Sequence, residues 1–158
     1  MRVKRIGSGA AVLAGALAVT GLALAPSAVA VAPTTATVTA SCGLFGGGAA
    51  TLTATQSGTS ATITFTSTAV TAPIQISANS IASTLTMANS TGSARVFTGT
   101  VNPLMPVGSP ITVGPLNGTV ASGDSLNFLG GSLKMVVFGI TVTCTTSTTQ
   151  LPGPFVFD

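Results

Sequence analysis

Few side chains in this sequence can do chemistry. Seven carry charge: Arg2, Lys4, Arg5, Arg95, Lys134, Asp124 and Asp158. His, Tyr and Trp are absent. Lys134 is the only lysine beyond the first five residues. It shares parity with Val136 and Phe138, on the face expected to be buried. A buried, unpaired ammonium is costly, which leaves two readings. Its stem snorkels outward from a strand end, or it forms an intramolecular Lys–Asn cross-link of the kind found in secreted adhesin and pilin sandwiches. The cross-link needs an acid, and Asp124 is the only internal candidate. Asp124 and Asp158 form a carboxylate pair only if the end of the chain folds back over the 123–125 turn. An ordinary turn aspartate and an ordinary terminal one are the simpler assignment.

Serine and threonine hydroxyls are abundant, but a hydroxyl nucleophile needs a base. With no His and only two carboxylic side chains, general acid/base catalysis lacks its groups. The expectation is therefore a non-enzyme, with no catalytic residue, no cofactor and no metal. Two thiols without His do not complete a zinc shell, and one turn aspartate is a poor calcium site. Cys42 and Cys144 lack the close spacing of a redox pair. In an exported chain, two cysteines read as one disulfide. Closing a loop of about a hundred residues stabilises by up to roughly 4–5 kcal/mol in the chain-entropy treatment.

Aromatic chemistry rests on Phe alone, seven in all. Phe65, Phe97, Phe128 and Phe138 fall in strand phase with other apolar residues and are expected in the core. Phe45 lies in a Gly-rich loop, and Phe155 and Phe157 lie in the tail. These three are the candidates for contact with a partner, unless they cap the ends of the core. Glycan-binding sandwiches usually present Trp or Tyr, which this chain lacks. Asn89 and Asn117 open glycosylation sequons, read as chance matches in a Thr-rich chain.

The elements that must hold these residues begin after a leader. Met1–Arg5 is basic, Ile6–Ala25 is uncharged, and Ala28-Val29-Ala30 is a small-x-small cleavage pattern. Residues 1–30 are expected to be a signal peptide cut after Ala30. The stretch is rich in Ala and Gly, which argues against a membrane anchor, so the cleaved protein is not expected to span a membrane. Beyond it, Arg95 and Lys134 balance Asp124 and Asp158. Two cations cannot neutralise a phosphate backbone, so nucleic acid is not an expected partner.

Residues 31–158 hold 26 Thr and 14 Ser, a composition that favours strands over helices. Residues 31–35 read as a flexible lead-in and 36–158 as a single domain. Ala36, Val38, Ala40 and Cys42 alternate with hydroxyls. Ala50–Ala54 and Ala61–Phe65 do the same about Ser57-Gly58, which is the pattern of a hairpin with one wet face. Pro73 opens a short strand with Ile74 and Ile76 inward. Ile111 and Val113 form a brief strand ended by Gly114-Pro115, and Gly130-Gly131 marks a turn. The strongest strand is Leu133–Thr145, with Val136, Phe138, Ile140, Val142 and Cys144 on one face. Phe155–Asp158 reads as an edge strand after a proline break. Turn signals recur about every ten residues and no helical period is sustained. The fold class expected is all-β: an antiparallel β-sandwich, Ig-like and Greek-key-like, closed by one disulfide.

This layout, with one Cys in the first strand and another in the late strand Ile140-Thr-Val-Thr-Cys144, resembles small secreted actinobacterial all-β proteins of unknown function. The resemblance implies a fold and an extracellular or cell-envelope location. It implies no activity and transfers no functional residue. The function expected is that of a secreted, non-enzymatic structural or interaction module. The alternatives are a cell-wall or glycan binder and a self-assembling surface protein. Possible partners are thus a cell-wall glycan, a protein, or a second copy of the chain.

Overall fold

The computed structural model describes residues 30–158. The expected leader lies outside the described residues, apart from Ala30. Ten strands follow: β1 (Val31–Ala32), β2 (Thr35–Ser41), β3 (Gly47–Ser57), β4 (Ser60–Thr71), β5 (Ala82–Asn89), β6 (Ala94–Gly99), β7 (Pro110–Thr119), β8 (Ser125–Val137), β9 (Ile140–Thr146) and β10 (Phe155–Phe157). A single 3-10 turn, Gly43–Phe45, joins β2 to β3.

All described pairings are antiparallel, in the order β8-β5-β6-β7-β4-β3-β2-β9, and β9 pairs back onto β8. Eight strands thus close into a barrel, where two stacked sheets were expected. Closure hides the edges that a sandwich would have to protect. It needs β8 to be long. The second half of β8 pairs with β9, while Leu126 and Ser125 in its first half pair with Phe155 and Val156 of β10. β1 adds outside β10, so the expected loose lead-in is in part a strand with Val31 buried.

Period-two alternation gives the barrel its wall. Ala36, Val38 and Ala40 point inward from β2, as do Leu52 and Ala54 from β3 and Ile63 and Phe65 from β4. Their Thr neighbours face out. Apolar inside and hydroxyl outside is the reverse of a membrane-spanning barrel. Phe65, Phe97 and Phe128 fill the lumen, each contributing about 1.5–3 kcal/mol on burial. The Phe65 and Phe128 rings meet tilted, with centroids 6.3 Å apart.

Several expected boundaries move. Leu133–Thr145 is two strands, since Phe138 (φ 51°) and Gly139 (φ 76°) make a two-residue turn. Both left-handed, they match the primed turn that suits a twisted hairpin. The chain reverses there, so Leu133 and Met135 point inward on β8 while Val142 and Cys144 point inward on β9. Phe138 is exposed at the turn, not in the core. Gly130-Gly131 is a bulge inside β8, where the register with β5 shifts. A Cβ on Gly131 would strike the Thr86 carbonyl. β7 runs through Gly114-Pro115 with its own register shift against β4. Residues 73–76 form no strand: Ile76 makes an isolated bridge to Met105, and Ile74 faces solvent.

Antiparallel order sorts the connections to two ends. Turns at 58–59, 90–93 and 120–124 share one end with Ala30 and Asp158. The 42–46 turn, the long 72–81 and 100–109 loops and the 138–139 turn share the other.

Candidate functional site

At the first end Arg95 and Asp124 are consumed in structure. Arg95 Nε donates to Asp124 Oδ2 at 2.6 Å and its Nη2 to Oδ1 at 3.0 Å. Asn89 Nδ2 donates to Oδ1 at 2.6 Å, and the Ala121 amide donates to Oδ2 at 2.8 Å. The Arg95 hydrogen bonds hold the Asp124 carboxyl below the usual carboxylate range. Burial opposes the shift, and Ala121 and Asn89 reinforce it. The backbone of the same turn binds the tail: Gly123 N donates to Phe157 O, and Phe157 N donates to Asp124 O. The chain does fold back over the 123–125 turn, but Asp124 faces a cation there and carries no second carboxylate.

These contacts dispose of the cross-link. Lys134 is exposed on the outer wall, opposite Thr84 and Thr143. Its expected inward parity fails because the chain turns at Phe138. Lys134 pairs with Thr84, whereas Asp124 is bonded to Asn89, five β5 residues or about 17 Å further along the wall. Phe155 and Phe157 are also corrected. Both are fully buried, inserted by β10 beside β8, so they belong to the core and are not free to contact a partner as expected. Cys42 and Cys144 are bonded and buried, as expected, with Cα atoms 4.0 Å apart. Among the described residues no group of three His, Cys, Asp or Glu stands together. Nor is any helix there long and apolar enough to cross a membrane.

Phe45 is the one expected contact residue that stays exposed, and it leads to the other end of the barrel. There an apolar cavity of about 360 Å³ opens. Its floor is made by Ile76, Ile81, Ile111, Met135 and Val142, all buried. Its rim is made by Leu44, Phe45, Ile74, Phe138 and Ile140. Leu44 is fully exposed, Phe138 63 %, Ile74 54 %, Ile140 53 % and Phe45 46 %. Thr71 supplies the only hydroxyl of the lining.

The rim is held in place. The disulfide fixes Cys42, the residue before the Leu44–Phe45 turn, to β9. Asn102 locks the long loops: its Oδ1 accepts from the Ser80 and Ile81 amides at 2.8 and 2.9 Å, and its Nδ2 donates to the Ser77 and Pro103 carbonyls. Ile76 and Met105 exchange two backbone bonds of 2.9 Å. Asn102 and Leu44 were not singled out from the sequence, and Ile74, Phe138 and Ile140 were expected on inward faces. One signal was present: an isolated Gly inside a strand pattern, Gly139, marks a turn or bulge.

Phe138 is the least economical residue of the site. A left-handed backbone disfavours a side chain, by roughly 1–2 kcal/mol, and Asn or Gly is the usual occupant. The ring gains little burial in return. Strain kept at an exposed aromatic points toward use. No known protein family, curated protein or solved structure matches the chain. The class defined by fold and site is a closed, disulfide-bonded β-barrel with an apolar mouth.

Proposed function

We propose that this chain is an exported, non-enzymatic binding module of the cell envelope or extracellular space, and that it binds through the apolar mouth. Export rests on the Ala28-Val29-Ala30 cleavage pattern and is supported by the disulfide, a bond that persists in oxidising compartments. The observation that carries binding is the rim itself. Five large apolar side chains from three segments converge on one uncharged opening. Contiguous exposed apolar surface of that kind marks an interaction site, and barrel mouths are common ligand sites.

Glycan binding draws little from this mouth, which has one hydroxyl and no ring paired with polar groups. Self-association is the second reading, and the same exposed rim favours it. The test uses purified envelopes of the producing cell. The wild type should be retained on them, and the Leu44→Asn/Phe138→Asn double variant should wash through while melting at the same temperature. Equal retention of the two proteins would remove the mouth from the function.

A further inference from the structure

We infer that the mouth takes the apolar chain of an uncharged, single-chain lipid, such as a fatty alcohol or ester. This rests on the mouth as the binding site and adds the chemistry of its occupant. The inference begins with shape. The site is concave, and its volume lies at the lower end of the roughly 300–1,000 Å³ typical of ligand pockets. At about 30 Å³ for a group the size of a water molecule, it accommodates a chain of roughly ten to twelve carbons. Met135 on the floor is flexible and polarizable, suited to a chain without fixed shape.

Charge selects the head. The segments 42–46, 72–81, 100–109 and 138–139 contain no Asp, Glu, Lys or Arg. An ionised head at this opening would lose water and find no counter-charge. Lys134 stands on the outer wall among Ser83, Thr84 and Thr98, away from the cavity. A bilayer surface fits less well than a single lipid. Membrane-binding rims use Trp and Tyr at the headgroup level and clusters of cations, and this chain has no Trp, no Tyr and no cation at the rim.

The test titrates the whole exported protein with N-phenyl-1-naphthylamine, a neutral fluorophore. Saturable enhancement at one probe per chain is expected. Decan-1-ol should displace it, and each methylene removed from the alcohol should weaken displacement about threefold to fourfold. Decanoate at pH 8 should compete at least tenfold less well than decan-1-ol. Phe138→Asn should weaken probe binding at least fivefold without lowering the melting temperature, because Asn-Gly suits this turn. Val142→Phe, which narrows the floor, should abolish it.

Absence of saturable binding overturns the inference, and so does equal competition by decanoate. Probe binding undiminished in both variants places the ligand elsewhere and also overturns it. Binding to phosphatidylcholine vesicles that depends on Phe138, without probe binding, would replace the single lipid by a bilayer. A sedimenting dimer that excludes the probe would replace it by a second copy. Loss of envelope retention in the double variant, with no probe bound by the wild type, would sink only the lipid and leave the mouth standing.

Discussion

The two ends of this barrel are built from opposite chemistry. At one, Asp124 collects Arg95, Asn89 and the Ala121 amide, and the tail is laced to the same turn through Phe157. At the other, no charge is present, and leucine, isoleucine and phenylalanine stand in solvent around a hollow. Connections differ in the same sense. The charged end has short turns, while the apolar end has two long loops pinned by Asn102. Polar groups are spent where the structure must be held shut. Where the surface costs most in water, its order comes from backbone contacts, one buried amide and a disulfide. A functional site in a chain so poor in charge is therefore recognised by misplaced apolar residues, not by reactive ones.

That contrast yields graded expectations. The largest effect belongs to the disulfide, which borders the mouth. Replacing Cys42 and Cys144 by Ala should cost about 2–5 kcal/mol in a urea titration and should loosen probe binding as well. Asn102→Ala comes next. It leaves the buried Ile81 amide and the partly buried Ser80 amide without their acceptor, and should cost about 1–3 kcal/mol while disordering the rim. Retained probe affinity in that variant would show that the loops need no such pin.

Asp124→Ala should cost about 1–3 kcal/mol and leave mouth binding unchanged, because it acts at the far end. A parallel loss of binding would break the separation of the two ends. Its acid dependence has a definite sign. The carboxyl is held below its ordinary value in the fold, so its stabilisation is complete above the unfolded value of about 3.9. That stabilisation is lost as pH falls through the lower folded value. Melting curves from pH 6 down to pH 2 should therefore fall more steeply for the wild type than for Asp124→Asn. The smallest effect on stability is at Phe138. Its change to Asn should not lower the melting free energy and should raise it by no more than about 0.5 kcal/mol, while probe binding falls. A large destabilisation would make Phe138 a packing residue and weaken the case for the mouth.

Much of the wall was legible in the sequence. Thr alternates with apolar residues through 36–42, 50–54 and 61–65, and each run is a strand with the expected inward face. The hairpin at Ser57-Gly58 and the pairing of Cys42 with Cys144 also follow from residues alone. The hairpin at Phe138-Gly139 did not. Met135-Val136-Val137-Phe138 is apolar at both parities, so alternation can be followed in either phase across it. Even-numbered apolar residues then join Val136 to Cys144 as if on one face, though Val136 and Ile140 lie outside the inward set. Lys134 inherited its wrong face from that phase. Closure was illegible for a different reason. Whether β9 pairs with both β2 and β8 is a long-range choice, and periodicity describes only the strand it runs along. The site was hidden because Leu44, Ile74 and Phe138 look like core residues until the loops that carry them are placed.

The contact between Asp158 N and Ala30 O, 3.0 Å long, also brings the two ends of the described chain together. The described chain enters and leaves at one point, on the end opposite the mouth. A leader, a tether or a fused reporter attached at either side of that point would carry the barrel with its opening facing outward, like a cup held by its base. The same adjacency makes the topology nearly circular. A short linker from Asp158 to Val31, with new ends cut into the exposed Ser57–Ser60 turn, would keep all eight barrel strands and the rim. Closely spaced ends and exposed turns are the conditions under which circular permutation succeeds. A permuted chain would therefore show whether the order of synthesis matters to a mouth whose parts come from both halves of the sequence.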